Sequence, residues 1–264
     1  MRFTVLTPTY NRAHCLSGVF SSLCGQTFRD FEWVIADDGS DDGTRELVSS
    51  WKADFPIRYF WKPNGGKHTA MNLGVAQAKG EFTLFFDSDD RCTPNALERF
   101  DFRWEQIPEP HRFSTLSCLC ATPDGTIMGQ AYPADHVDAF TLKDQLRYRN
   151  SERWGINRTD ILREFPFPEG ERYVPEGLVW NRIASRYAAR FFNEALRIYE
   201  PNPNGVSSNV TALRVSSPRS TLTFYRELAL SSAPAMLRLR GAINYCRFAV
   251  IEACGRVNRA LRRP

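Results

Sequence analysis

Residues 31–44 read FEWVIADDGSDDGT. Phe31 to Ala36 is an apolar run of strand length, the Asp, Gly and Ser residues after it are turn formers, and Arg45 to Ala53 then reads as a helix. A strand that empties into a polar turn and a helix is one unit of an α/β fold, and the same unit recurs on both sides. Upstream, Arg2 to Pro8 is a second β-rich run, and Ala13 to Cys24 sets Leu16, Val19, Phe20 and Leu23 on one helix face. Downstream come a strand at Ile57 to Trp61, a Gly65-Gly66 loop opening a helix from about Thr69 to Lys79, and a strand at Glu81 to Phe86. Thr93 as N-cap and Pro94 at the first helical position open another helix. The β-α-β-α order predicts an α/β fold, a mostly parallel, Rossmann-like sheet flanked by helices, with ligands beyond the carboxyl ends of the strands.

After about Pro108 the rhythm changes. Ser114–Cys120 and Thr126–Ala131 flank a Pro123-Asp124-Gly125 turn and read as a hairpin, followed by a short helix at Leu142–Tyr148. A helix from Gly177 to about Tyr187, the strand-like FFNEALRIYE, a Pro-Asn-Pro-Asn-Gly loop at 201–205 and helices near 218–230 and 234–260 complete the chain. This divides it into residues 1–108 and 109–211, two halves of one domain, and a helical end at 212–264.

At 264 residues, 42% hydrophobic and 24% charged, the chain is an ordinary globular one. Its apolar runs are far short of the roughly 20 residues of a spanning helix. The N-terminus lacks the apolar stretch of a secretory signal, so a cytoplasmic protein is expected. Seven scattered cysteines without a C-x-x-C pair argue against a disulfide framework or zinc site and read as small buried hydrophobes. The net charge of +4 conceals an asymmetry: residues 212–264 carry ten Arg and two acids, for +8, leaving −4 on the rest. An acidic body with a basic tail does not suit nucleic acid. The tail suits anionic lipid or an acidic partner.

The four strands end in Thr7–Arg12, Asp37–Ser40, Asn64–His68 and Asp87–Asp90, which therefore share one sheet edge. Strand periodicity puts Asp87 and Asp89 on one side with Ser88 opposite. Two carboxylates held close repel unless a cation sits between them, and hard oxygens suit Mg²⁺ or Mn²⁺ bridging to a phosphate. An isolated DSDD would read instead as an acidic turn ahead of a helix.

This one is not isolated. FTVLTPTYNR (3–12), VIADDGSDDGT (34–44), NGGKHTAMN (64–72) with AKGE (78–81), and FFDSDD (85–90) with Pro94 strongly resemble, in order and spacing, the family 2 glycosyltransferases over residues 3 to about 100. The resemblance implies a GT-A fold, a nucleotide-diphospho-sugar donor, a Mn²⁺ or Mg²⁺ ion at the D-x-D, and inversion at the anomeric carbon. It further implies that Pro8, Thr9 and Tyr10 line base and ribose, that Asp38 contacts the base, usually uracil, and that Asp37 orients the loop. Lys67, in a loop shared with His68, would approach the pyrophosphate. Asp89 would be the first metal ligand, Asp87 would contact ribose or metal, and Asp90 would reach the sugar.

In the second half, RYVPEGLVWN (172–181) matches the stretch where the family places its catalytic base in an acid pair. Gly177 stands in place of the second acid, which leaves Glu176 as the base. Trp180, on the same helix face, either stacks on a sugar or packs in the core. The Q-x-x-R-W motif of processive relatives is absent, since Asn150 precedes Arg153-Trp154, so a non-processive transferase is expected, in surface polysaccharide or glycolipid synthesis, with a glycan, lipid-linked or other hydroxyl acceptor. The alternative is a catalytically degenerate nucleotide-sugar-binding or scaffold protein. A dinucleotide oxidoreductase would need G-x-G-x-x-G after the first strand, and none is there. Residues 234–264, with Leu237, Leu239, Ile243, Phe248, Val250, Ile251 and Val257 among seven Arg, either pack on the catalytic domain or dock peripherally on an anionic membrane, at its inner surface.

Overall fold

The computed structural model describes residues 1–149, 152–199 and 209–261, with side chains to residue 255. The first half alternates β1 (Phe3–Thr9), α1 (Ala13–Cys24), β2 (Phe31–Asp37), α2 (Thr44–Ser50), β3 (Ile57–Trp61), α3 (Lys67–Gln77) and β4 (Phe82–Phe85). These strands pair in the order β3-β2-β1-β4, all parallel, as the sequence predicts. β1 and β2 are buried along their whole length because helices cover both faces. On one face Val5, Trp33, Ile35 and Leu84 pack with Leu16 and Val19 of α1. On the other, Leu6, Val34 and Ala36 pack with Ala70, Met71 and Val75 of α3.

Beyond β4 the pairing is mixed. The chain continues with β5 (Arg91–Cys92) and α4 (Ala96–Glu105), and the second half contributes β6 (Phe113–Ala121), β7 (His136–Ala139), α5 (Leu142–Tyr148), β8 (Arg153–Arg158), α6 (Thr159–Glu164), α7 (Gly177–Ala184) and β9 (Ala188–Ile198). β8 runs antiparallel to both β4 and β6, β9 runs parallel to β6, and β5 and β7 pair antiparallel with β9, completing one nine-stranded sheet. The expected hairpin is not formed. β6 has β8 on one side and β9 on the other, so residues 126–131 find no free edge and make only a bridge from Ile127 to Ala121. α4 starts at Ala96 rather than Pro94 because the Thr93 N–H extends the sheet by donating to Leu196 O (2.9 Å).

The end of the chain forms α8 (Val210–Ser216), α9 (Pro218–Leu230) and α10 (Ala235–Leu261). No helix among the described residues is long and apolar enough to cross a membrane. All seven cysteines are free; Cys92, Cys118 and Cys120 are buried as expected, whereas Cys24, Cys246 and Cys254 are exposed. Asn150, the 201–205 loop and residues 262–264 lie outside the described residues.

Candidate active site

Register brings the site together. Thr9 of β1 stands beside Asp37 of β2, which stands beside Trp61 of β3, so three loops leave the sheet at one level. Asn11 holds the left-handed φ of 51°, which Asn tolerates better than most residues. It joins the first two loops: its N–H donates to Ser40 Oγ (2.9 Å) and its Oδ1 accepts the Asp41 N–H (3.0 Å).

Asp37 and Asp38 are both buried. Asp37 accepts the Ser40 N–H (2.7 Å) and the Tyr59 hydroxyl (2.5 Å), fixing the turn. Asp38 holds the β2 loop to the Asn64–His68 segment. Its Oδ1 accepts from Lys62 Nζ (2.7 Å), the Gly65 N–H (2.9 Å) and Thr69 Oγ1 (3.3 Å), and its Oδ2 from the Gly66 N–H (2.7 Å). A carboxylate offers about four lone-pair sites, so Oδ2, with one donor, retains an acceptor position. Gly66 is required here: its φ is 103°, and a Cβ would sit 2.3 Å from the Arg172 carbonyl oxygen.

Lys67 and His68 are the first turn of α3, two residues ahead of the predicted start, rather than part of the loop. His68 is buried, and burial holds its pKa below the usual range against the pull of Asp38 and Glu169. Its Nε2 and the buried Thr9 Oγ1 have no hydrogen-bond partner among the described residues. Pro8 is buried with Thr9 at the end of β1, whereas Tyr10 is exposed.

The DSDD segment is a turn rather than a strand, closed by the Asp90 N–H donating to Asp87 O (3.1 Å). The turn still buries Ser88 and Asp90 and leaves Asp87 and Asp89 37% and 35% exposed. Asp87 Oδ1 lies 2.9 Å from Lys67 Nζ, and Asp89 Oδ2 lies 3.3 Å from Arg12 Nη1. Asp90, expected to reach the sugar, has both its oxygens on Arg197, at 2.8 Å from Nη2 and 2.7 Å from Nε. The cause is β5, whose Cys92 is registered with Arg197 of β9 and so draws Asp90 inward.

Lys67 also reaches Glu176, the residue before α7, with Nζ 3.2 Å from Oε1. One ammonium thus joins the D-x-D to the predicted base, and Asp87 and Glu176 oxygens are no more than about 6 Å apart. Burial alone would raise the Asp87 pKa; the Lys67 charge outweighs it and holds Asp87 below the usual carboxylate range. Trp180 packs edge-on against Phe85 and Phe167, each 5.8 Å away, and points Nε1 at Glu176 Oε2 (3.5 Å). It is a half-buried packing residue that also touches Glu176.

Other acids near α7 are committed elsewhere. Glu171 accepts the Arg219 and Ser220 N–H groups at the start of α9 (2.9 and 2.6 Å). Asp160 pairs with Arg158 and lines a groove at the opposite end of the sheet. Among the described residues no cluster of three or more His, Cys, Asp or Glu could hold a metal by itself. The half-exposed Asp87 and Asp89 are hard oxygen donors of the kind Mg²⁺ and Mn²⁺ take from a protein when phosphate oxygens and water complete the shell, so the donor set fits such an ion. Arg12 and Arg197 were not singled out as partners of Asp89 and Asp90. Arg12 stands inside the first motif, but nothing local to Arg197 signals its role, which depends on the register of β9.

α9 packs on the helix that follows Glu176: Arg182 of α7 pairs with Glu227 (2.7 and 2.9 Å), and a Cβ on Gly177 would meet Phe224 at 3.0 Å. α10 packs back on α9 through Phe248, stacked on Tyr225 at 5.6 Å. One face of α10 thus packs on α9, while Met236, Leu239, Ile243 and Val250 remain more than half exposed.

Comparison with known proteins supports the site's family. Residues 4–109 match the model for Glycosyl transferase family 2. A Campylobacter jejuni protein, GalNAc(5)-diNAcBac-PP-undecaprenol beta-1,3-glucosyltransferase, is 38% identical over 210 residues, 75% of this chain and 64% of that protein. An uncharacterized glycosyltransferase of Rickettsia felis is 44% identical over 97 residues, 37% of this chain and 16% of the relative. The chain thus spans only part of the length of these relatives. Among solved structures, S. aureus TarS 1-349 in complex with UDP-GlcNAc is similar with a TM-score of 0.68 at 23% identity, over 94% of this chain and 72% of that one. The mannosyltransferase PcManGT from Pyrobaculum calidifontis, in complex with GDP-Man and Mn²⁺, gives 0.62 at 20% identity, over 97% and 75%. The chain has the GT-A fold, and its residues 4–109 match the glycosyl transferase family 2 model.

Proposed function

We propose that this chain is a metal-dependent, inverting, non-processive glycosyltransferase that moves a sugar from a nucleotide-diphosphate sugar, a UDP-sugar first among them, to an acceptor hydroxyl in surface polysaccharide or glycolipid synthesis. The observation that carries the proposal is the Lys67 ammonium, which gathers Asp87 of the D-x-D and Glu176 at one sheet edge. The printed names of its relatives support the direction: UDP-GlcNAc is bound by TarS, and the Campylobacter enzyme acts on an undecaprenol-linked glycan.

In this account the nucleotide lies over Pro8, Thr9 and Tyr10, with a base N–H on the open Asp38 Oδ2 position. Asp87 and Asp89 would hold Mn²⁺ or Mg²⁺, whose charge stabilises the leaving diphosphate. Glu176 accepts the acceptor's hydroxyl proton as the new oxygen–carbon bond forms, and the bond to the diphosphate breaks on the opposite face, its electrons leaving with the diphosphate. Opposite faces give inversion. Trp180, braced by Phe85 and Phe167, holds the Glu176 carboxylate in place.

In this account the protein works at the cytoplasmic face of the membrane, held peripherally by α10. Its exposed Met236, Leu239, Ile243 and Val250 lie among Arg238, Arg240 and Arg247, and the helix sequence holds a single acid, Glu252. An apolar stripe flanked by Arg suits an anionic bilayer. Screening UDP-, GDP-, dTDP- and CMP-sugars for Mn²⁺-dependent release of the nucleotide tests the reading. Slow release from one UDP-sugar is expected; binding without release on any acceptor supports the scaffold alternative instead.

A further inference from the structure

The Lys67 ammonium has two carboxylate neighbours from distant parts of the chain, at 2.9 Å (Asp87) and 3.2 Å (Glu176). They belong to the two sides of the site: Asp87 follows β4 on the donor side, and Glu176 precedes α7, which packs on α9. Lys67 itself is rooted at the first residue of α3, directly after Gly66, whose N–H donates to Asp38. Its backbone is fixed by the nucleotide loop while its four-carbon side chain is free to swing by a few ångströms.

We propose that Lys67 is a coupling residue, a single cation divided between the donor-side carboxylate and the base, so that binding of a metal-bound nucleotide diphosphate releases Glu176 for proton transfer. The inference rests on the donor reading above. A divalent cation at Asp87 carries the same sign as the ammonium and displaces it, and the arriving phosphates offer it a stronger anionic partner. Once it moves, the Glu176 carboxylate is freed of its ion pair and open to the acceptor hydroxyl. Without donor, the ammonium stays on Glu176 and the base is held out of use. Donor loading and base activation are thus linked, and linkage is reciprocal: removing the charge at residue 176 must change nucleotide affinity, and only through Lys67.

The test is a double-mutant cycle on binding, with no turnover required. Mn²⁺·UDP affinity is measured by calorimetry in wild type, Glu176→Gln, Lys67→Met and the double variant, with Lys67→Gln as a second replacement and circular dichroism confirming the fold of each. Glu176→Gln frees Lys67 for the phosphates and should tighten Mn²⁺·UDP by about fivefold, within the usual range of site-to-site coupling. In the Lys67→Met background the same change should have no effect. An equal effect of Glu176→Gln in both backgrounds, or none in wild type, overturns the coupling. Failure of Mn²⁺·UDP to bind any of the proteins overturns the donor reading and the coupling with it.

Discussion

Asp87 and Glu176 are 89 positions apart in the sequence, yet their carboxylates share one ammonium, that of Lys67, at 2.9 and 3.2 Å. The contact joins the end of the parallel strand β4 to the start of α7 in the second half. A donor and an acceptor hydroxyl brought together there would meet within reach of both carboxylates.

Divalent metal is the first dependence to check. Asp87 and Asp89 are half-exposed and paired with Lys67 and Arg12, so a metal must compete with those cations. UDP affinity should fall by about tenfold or more in excess EDTA, and Asp89→Ala should bind UDP equally with and without Mn²⁺. Equal wild-type affinity in EDTA and in Mn²⁺, measured by calorimetry, removes the metal from the account.

Gly66→Ala tests whether the loop geometry holds the site. The new Cβ would lie 2.3 Å from the Arg172 carbonyl oxygen on a backbone with φ of 103°. The strain should lower stability by about 1–3 kcal/mol and weaken nucleotide binding, because the Gly66 N–H holds Asp38 in place. Urea denaturation with the wild-type midpoint would show that the loop absorbs the change.

Acid should weaken the folded state through His68. Burial holds its pKa below 6.5 in the folded protein, so the unfolded chain binds the proton first as pH falls. The stability contributed by neutral His68 is present above pH 6.5 and is lost as pH drops through that value toward the folded pKa. His68→Gln should therefore lose less stability than wild type between about pH 7.5 and 5.5. Parallel losses in urea melts would assign the acid sensitivity to other groups.

For α10, the wild-type protein should co-sediment with vesicles containing phosphatidylglycerol at low salt and release as salt rises, since screening acts within a Debye length of about 8 Å at physiological ionic strength. Leu239→Gln with Ile243→Gln should abolish sedimentation while leaving nucleotide binding intact, because both side chains point to solvent. Absence of sedimentation by wild type even at low salt would count against membrane docking.

The legible parts of the fold were those set by local pattern. α1 and α5 begin and end where the sequence puts them, because each has a clear apolar face or, at Thr141, a side chain accepting the Asp144 N–H. β8 and β5 were missed because they are short: RWGINR alternates only Trp154 and Ile156, RC is two residues, and both are strands because β4, β6 and β9 offer edges to pair with. The same reason separates the three aspartates of DSDD. Sequence could mark Asp87 and Asp89 as a pair, but Asp90 turns to Arg197 through a register set more than a hundred residues later. Trp180 was left between sugar stacking and core because its neighbours Phe85 and Phe167 come from distant segments.

The central claim is that Glu176 takes the acceptor's proton. Its most direct test is turnover and donor affinity of Glu176→Gln, measured on one preparation with the preferred donor and an undecaprenyl-type or soluble hydroxyl acceptor. Turnover should fall by roughly 10² or more with donor binding no weaker than in wild type. Turnover within a few-fold of wild type would contradict the account, and since Glu171 caps α9 and Asp160 lies at the far end of the sheet, neither of those acids could then stand in for it.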